Sequence, residues 1–122
     1  MARDVTHIVA FRGAPPTPEL DQPRPERRVR GAPLRQTWPW YAHPGERLFA
    51  GEWACEAGAW RIEVPENVHE VCTLQSGRVR LTDDAGRSVE FGPGESFVVP
   101  GGFHGVWDTL EPLKKTYVIA LI

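Results

Sequence analysis

Cysteine, positive charge and long apolar runs are all scarce in this sequence. The two cysteines among its 122 residues lack a CxxC spacing, which argues against the disulfide framework of small secreted domains. Lysine and arginine together number 14 against 16 aspartates and glutamates, so no summed positive field attracts nucleic acid or an anionic membrane. No apolar run approaches the ~18 residues that span a bilayer, and neither end has a secretory-signal pattern. We therefore expect a cytoplasmic protein with reduced thiols and with neither nucleic acid nor a membrane as a partner.

Helical periodicity is also absent, whereas turn-forming residues are plentiful. The chain has 12 glycines and 12 prolines, and from residue 38 onward β-branched and aromatic segments alternate with turns. About seven or eight strands are predicted, with a hairpin turn formed by Asp83, Asp84 and Gly86. The predicted strand segments are 47–56, 59–66, 69–77, 78–91 (split by the hairpin), 95–102, 105–110 and 115–122. This spacing predicts an all-β sandwich or barrel.

The first 37 residues differ in composition from the rest. Residues 5–11 are β-branched and aromatic enough to predict one short strand. Residues 13–35 contain six prolines, which cannot donate backbone hydrogen bonds. We therefore predict an N-terminal strand and Pro/Arg-rich extended arm at 1–37, followed by a barrel at 38–122. Such an arm is suited to wrapping around a second subunit, so we expect a homodimer.

Two glycine-bounded spacings resemble the paired cupin motifs, G-x5-H-x-H-x3-E-x6-G and G-x5-P-x-G-x2-H. The matching positions are Gly58, Glu70, Gly77, Gly94, Pro100 and Gly102. The resemblance implies a double-stranded β-helix, the jelly-roll barrel of the RmlC-like cupins. The strings GEWACEAGAWR, GPGESFVVPGGFHGVW and KKTYVI are similar, more narrowly, to the cupin subfamily of the (S)-ureidoglycine aminohydrolase domain.

The ligand positions of the motifs depart from the cupin pattern. Metal-binding cupins hold one divalent cation with three histidines and a glutamate, whereas this chain has Val64, Glu66, Glu70 and Gly105 at those positions. Carboxylates without imidazole suit at most a weakly held Mn, Mg or Ca ion. We therefore predict no tightly bound cofactor, with a weak divalent cation at Glu66 and Glu70 as the alternative.

The same carboxylates are the first candidates for a site, because strand alternation places Glu66 and Glu70 on the inner face with Cys72. Two buried like charges favour either a raised pKa for one of them or a cation beside the pair, and Lys115 is the best cation available. His104 precedes the cupin histidine position by one residue, so alternation turns it outward unless a bulge in the glycine-rich turn re-aims it. The candidate catalytic residues are Glu70, Glu66, Lys115 and His104; the candidate ligand-contact residues are Trp53, Trp60, Cys72, Trp107 and Tyr117.

Two classes of function fit these residues. One is a metal-independent enzyme in which a barrel carboxylate transfers a proton on a small polar metabolite. The alternative is a non-catalytic cupin, either a module that binds or senses a small molecule or a structural dimer with a filled barrel. A cavity of a few hundred Å³ lined by carboxylate and tryptophan would favour binding or catalysis over the structural role.

Overall fold

The computed structural model describes residues 1–122 and consists almost entirely of β-strands. The nine strands are β1 Glu19–Asp21, β2 Arg28–Arg30, β3 Arg35–Ala42, β4 Leu48–Cys55, β5 Gly58–Glu63, β6 Val68–Asp83, β7 Ser88–Phe91, β8 Ser96–Val99 and β9 His104–Leu121. The only helices are single 3-10 turns at Val5–His7 and Pro25–Arg27, and neither could cross a membrane. The predicted all-β jelly-roll barrel is therefore confirmed; seven of the strands, β3–β9, form the barrel, and β1 and β2 belong to the arm.

Strands β6 and β9 are the longest strands and form the central pair of the barrel. They pair with each other antiparallel from Val68–Leu121 to Asp83–Gly105, while β9 also pairs with β4 and β5. The sheet order is β1-β3-β4-β9-β5-β2, and β6 adds β7 and β8 on its other edge. The pairing of β6 with β9 changes register around Gly77, whose φ is 83° and whose missing side chain leaves room for the Pro112 carbonyl. This bend lets one strand span two predicted ones, 69–77 and the first half of 78–91.

The interior is packed with aromatic side chains. Along β9 the alternate residues from Gly105 to Thr109 and from Leu113 to Tyr117 are buried, as period-two alternation requires. Trp107 lies at the centre, within 6.3 Å of the Trp60 ring and 5.7 Å of the Trp53 ring. The buried apolar core consists of Cys55, Trp60, Cys72, Leu74, Val79, Leu81, Val99, Trp107 and Leu113. Much of the barrel is thus filled by its own side chains.

The N-terminal arm packs on the barrel of its own chain. Strand β1 pairs with the edge strand β3, and β2 pairs with the edge strand β5, so the arm covers both edges. Pro23 and Pro33 are buried, and the Pro33 ring packs on Gly58. The prolines limit β1 and β2 to three residues each, but they do not prevent pairing. A second subunit as the arm's partner stays a prediction.

The strand predicted at residues 5–11 is wrong. Val5–His7 forms a 3-10 turn because the Asp4 side chain accepts a hydrogen bond from the Thr6 amide and caps the turn. The segment pairs with no strand, and its one aromatic contact is the Phe11 ring stacked on Trp40 at 5.6 Å. High β-propensity does not make a strand where the backbone has no pairing partner.

Candidate functional site

A cavity of about 460 Å³ opens where the arm meets the barrel. Strands β3, β4, β6 and β9 each contribute to its wall, and β1 of the arm adds one residue. The lining residues are Glu19, Thr37, Pro39, Ala42, Phe49, Trp53, Glu70, Lys115, Tyr117 and Ile119. The cavity therefore combines two carboxylates, one ammonium and one phenol with an apolar wall.

An ion pair between Lys115 and Glu70 lies at the inner end of this cavity. Lys115 Nζ donates to Glu70 Oε2 at 2.7 Å and to Cys72 Sγ at 3.3 Å. The pairing of β6 with β9 produces this contact, because Leu74 lies opposite Lys115 and Cys72 lies opposite Tyr117. Alternate residues 70, 72 and 74 of β6 therefore surround alternate residues of β9, as the sequence predicted for the inner face.

Two tryptophans complete the surroundings of the ammonium. Lys115 Nζ lies 4.6 Å from the Trp53 ring centroid and 4.4 Å from that of Trp107, both within cation–π range. The Lys115 side chain is 5% exposed, whereas that of Glu70 is 26% exposed. A molecule in the cavity thus meets the carboxylate of the pair rather than the ammonium.

The protonation of the buried groups follows from this packing. Burial is the largest single influence and would lower the pKa of Lys115, but Glu70 and Cys72 together outweigh it, and the pKa lies above its ordinary value. Burial raises the pKa of the Cys72 thiol to about 12. At neutral pH the lysine is therefore a fixed cation and Cys72 is an uncharged thiol without nucleophilic character.

Tyr117 supplies a phenol that is open to the cavity. The residue is only 6% exposed and lines the cavity, yet its hydroxyl forms no hydrogen bond within the protein. Its pKa is raised by burial first, and then by the charges of Glu19 and Glu70. Gly51 on β4 makes room for this ring, because a Cβ there would lie 2.8 Å from the Tyr117 hydroxyl. Because no buried side-chain oxygen lacks a partner, this hydroxyl is accessible from the cavity and can contact a ligand.

Most of the sequence-predicted site residues meet at this cavity. Four of them line it: Glu70, Lys115, Trp53 and Tyr117. Two more, Cys72 and Trp107, are outside the lining and contact the Lys115 ammonium. Trp60 lies deeper, in the core, with the Arg35 guanidinium 5.0 Å above its ring. Sequence reasoning missed the other six lining residues, which are Glu19, Thr37, Pro39, Ala42, Phe49 and Ile119. Alternation with Lys115 and Tyr117 could have identified Ile119, whereas nothing in the proline-rich arm marks Glu19.

Glu66 and His104 do not reach the cavity. Glu66 lies on the turn after β5, exposed, with its carboxylate against Gly102. His104 is exposed on β9 opposite Glu63, outside the lining of the cavity. Both positions follow local backbone geometry: Glu66 is beyond the end of its strand, and His104 obeys the alternation that turns it outward.

The residues at the cupin ligand positions do not fit a metal ion. No group of three or more His, Cys, Asp or Glu side chains is placed to hold one. At Gly105, where the motif has a histidine, a Cβ would collide with the Thr82 carbonyl and lie 3.0 Å from the Phe103 ring. The backbone of β6 thus occupies the space that an imidazole would need, and no chemical step is assigned to a metal here.

Comparison with known proteins gives the family. The sequence pattern of the EutQ-like cupin domain matches residues 42–117, and no curated protein matches the chain. A Pseudomonas syringae pv. tomato protein of unknown function from the DUF861 family is 24% identical over 85% of this chain, with a TM-score of 0.74. The Clostridium difficile EutQ protein is 20% identical over 73%, with a TM-score of 0.63. Ectoine synthase from P. lautus is 12% identical over 71%, with a TM-score of 0.61.

These structures share the fold and differ in what is said of their function. This chain spans 43% of the P. syringae protein, and 64% of both the C. difficile protein and the P. lautus synthase. Identities this low establish the architecture only, since one fold hosts many chemistries. The domain match covers more than half of the chain, including β4–β8 and most of β9. By its sequence and by its fold, this chain belongs to the EutQ-like cupin family.

Proposed function

We propose that this cupin binds a small polar molecule in the cavity, with Glu70 as the main recognition group. The observation that supports the proposal is the asymmetry of the ion pair. Glu70 Oε2 accepts from Lys115 at 2.7 Å, while Oε1 accepts no hydrogen bond from the protein and the side chain is partly open to the cavity. One oxygen is thus anchored and the other is left for a ligand.

The anchoring favours binding because the carboxylate is fixed before a ligand arrives. A side chain that is already ordered loses little conformational entropy on binding, so more of each contact contributes to affinity. The unbonded Tyr117 hydroxyl offers a second polar contact in the same cavity. Trp53, Phe49 and Ile119 provide apolar surface for the remainder of the molecule. The cavity volume of about 460 Å³ supports binding over the purely structural role.

A second candidate is an enzyme that uses Glu70 for proton transfer. The placement of Glu70 and Tyr117 in one cavity favours it, because a carboxylate and a phenol can act as a base and an acid. Lys115, whose raised pKa keeps it protonated, would hold Glu70 in position and not accept the proton. The ureidoglycine aminohydrolase reaction is not proposed, since this chain lacks the histidines of the metal-binding cupin motifs.

A ligand screen tests the proposal and separates its two forms. Wild-type protein is screened by thermal shift against amino, ureido and sugar derivatives, because a ligand specific for the folded state raises the apparent stability. Each hit is then incubated with the protein and followed by NMR. If a stabilising compound stays chemically unchanged, the result favours a binding module. If the wild type converts the compound and the Glu70→Gln variant does not, the result favours the enzyme. A screen without a single stabilising compound would contradict both.

A further inference from the structure

The charged groups of the cavity are not equally accessible. Three of them lie there: the carboxylates of Glu19 and Glu70 and the ammonium of Lys115. The ammonium is already surrounded by Glu70, Cys72 and two tryptophan rings, and its side chain is 5% exposed. Glu19 is exposed and has no ion-pair partner of its own. A ligand therefore encounters the partly exposed carboxylate of Glu70 and the exposed carboxylate of Glu19, while the one cation of the cavity, Lys115, is almost completely buried.

Glu19 is held in place by the pairing of the arm. Strand β1 aligns Glu19 with Thr37 and Asp21 with Arg35, and both of these β3 positions face β1 directly. The Arg35 guanidinium forms two hydrogen bonds with the Asp21 carboxylate, at 2.8 and 2.7 Å. Asp21 and Glu19 share a face of the short strand, so this bidentate contact also fixes the side of the arm on which Glu19 projects.

The electrostatics of the phenol agree with this placement. Glu19 and Glu70, which belong to different strands, both act on Tyr117, and Lys115 opposes them. Both carboxylates are thus close enough to Tyr117 to act on it, and the ammonium that opposes them is already paired with Glu70. An anionic ligand would approach two carboxylates with only a buried and already paired cation in the cavity, and would lose its own hydration in doing so.

We propose that the ligand of this site carries a protonated amine, held by Glu70 on the barrel and by Glu19 on the arm. The inference rests on the proposed function and specifies the class of molecule. The ammonium would donate to the free Glu70 Oε1 and to Glu19, forming charge-assisted hydrogen bonds with two carboxylates. Ala42, Phe49 and Ile119 would contact the carbon skeleton. The arm, which lies outside the segment that matches the family pattern, thereby determines specificity.

The test uses matched ligands that differ in one functional group. Families of small molecules with the same skeleton, ending in an amine, an alcohol or a carboxylate, are titrated into the full-length protein by calorimetry or NMR. Amines should bind at least about tenfold more tightly than the corresponding alcohols at low salt, and carboxylates least of all. Raising the ionic strength should reduce this preference, because Glu19 is solvent-exposed.

Two arm variants give the matched comparison. Glu19→Gln removes the proposed contact and should abolish most of the amine preference while leaving alcohol binding within about twofold. Glu26→Gln removes another exposed arm carboxylate, in the 3-10 turn away from the cavity, and should change neither. Both are surface substitutions that keep the shape of the side chain, so the fold should be unaffected.

The results distinguish a failure of this inference from a failure of the proposed function. Ligands that bind in a Glu70-dependent manner with no preference for amines, or with a preference that Glu19→Gln leaves intact, overturn the amine assignment alone. A protein that binds no member of any family, or that binds equally well as Glu70→Gln, overturns the proposed function and this inference together.

Discussion

At the scale of single residues, Lys115 contributes both charge and packing to the cavity. Replacing it by methionine keeps most of the apolar stem but leaves Glu70 without its counter-ion. We expect Lys115→Met to lower the free energy of unfolding by about 3 kcal/mol, because removing one member of a buried pair leaves the other uncompensated. The Lys115→Met/Glu70→Gln double variant should recover at least half of that loss. The free energy of unfolding is measured by urea denaturation of the wild type, the two single variants Lys115→Met and Glu70→Gln, and the double variant. Strictly additive losses would show that the two side chains do not interact.

The Cys72 thiol should make the free energy of unfolding decrease at alkaline pH. Its pKa in the folded protein is about 12 against an ordinary value of 9.0, because burial disfavours the thiolate. A group whose folded pKa is raised contributes stability below its unfolded pKa and loses that contribution as the pH rises. The free energy of unfolding should therefore fall from pH 9 upward, with Cys72 contributing up to about 1.4 kcal/mol per pH unit. In Cys72→Ala the decline between about pH 9 and pH 11 should be shallower; an unchanged slope would refute this origin.

At the scale of elements, the arm closes the barrel by pairing with both of its edge strands. Strands β1 and β2 satisfy backbone groups of β3 and β5, and Pro23 and Pro33 bury their rings. Residues 1–10 precede these contacts and also precede Phe11, which stacks on Trp40. Deleting residues 1–10 should leave the free energy of unfolding within about 0.5 kcal/mol of wild type.

Deleting residues 1–33, in contrast, should cost about 3 kcal/mol or more and promote aggregation. Two buried rings and two short ladders would be lost, and the exposed edges of β3 and β5 would be free to pair with other chains. Chemical denaturation and size-exclusion chromatography of the two truncated proteins provide the comparison. Equal stability of both would mean that the arm is not part of the fold.

At the scale of the whole molecule, the spacing of glycines was enough to predict the fold. Glycine positions such as Gly58 and Gly77 are required where the backbone bends or another segment packs closely, so their spacing reflects backbone geometry directly. Alternation likewise predicted that Glu70 and Cys72 share the inner face, and Lys115, chosen as the best available cation, donates to both of them. Motif position and alternation also placed Glu66 in the site, but the strand ends before it and the turn carries it to the surface.

The arm shows what local patterns could not provide. Its two strands are three residues long, flanked by prolines, and paired with strands distant in sequence. Such strands form because two open edges are available, which is a property of the folded barrel and not of the arm. The placement of Glu19 in the cavity therefore follows only from the folded structure. The segment 5–11 has the propensity of a strand but pairs with no other strand.

The central claim, that Glu70 recognises a small molecule in this cavity, is tested most directly by calorimetry. The best ligand from the screen is titrated into the wild type, Glu70→Gln and Glu66→Gln. Glu66 is the matched control, because it is the other motif carboxylate and lies outside the cavity. The account predicts an affinity at least about tenfold weaker for Glu70→Gln and unchanged for Glu66→Gln. Equal affinity of the wild type and Glu70→Gln would contradict it.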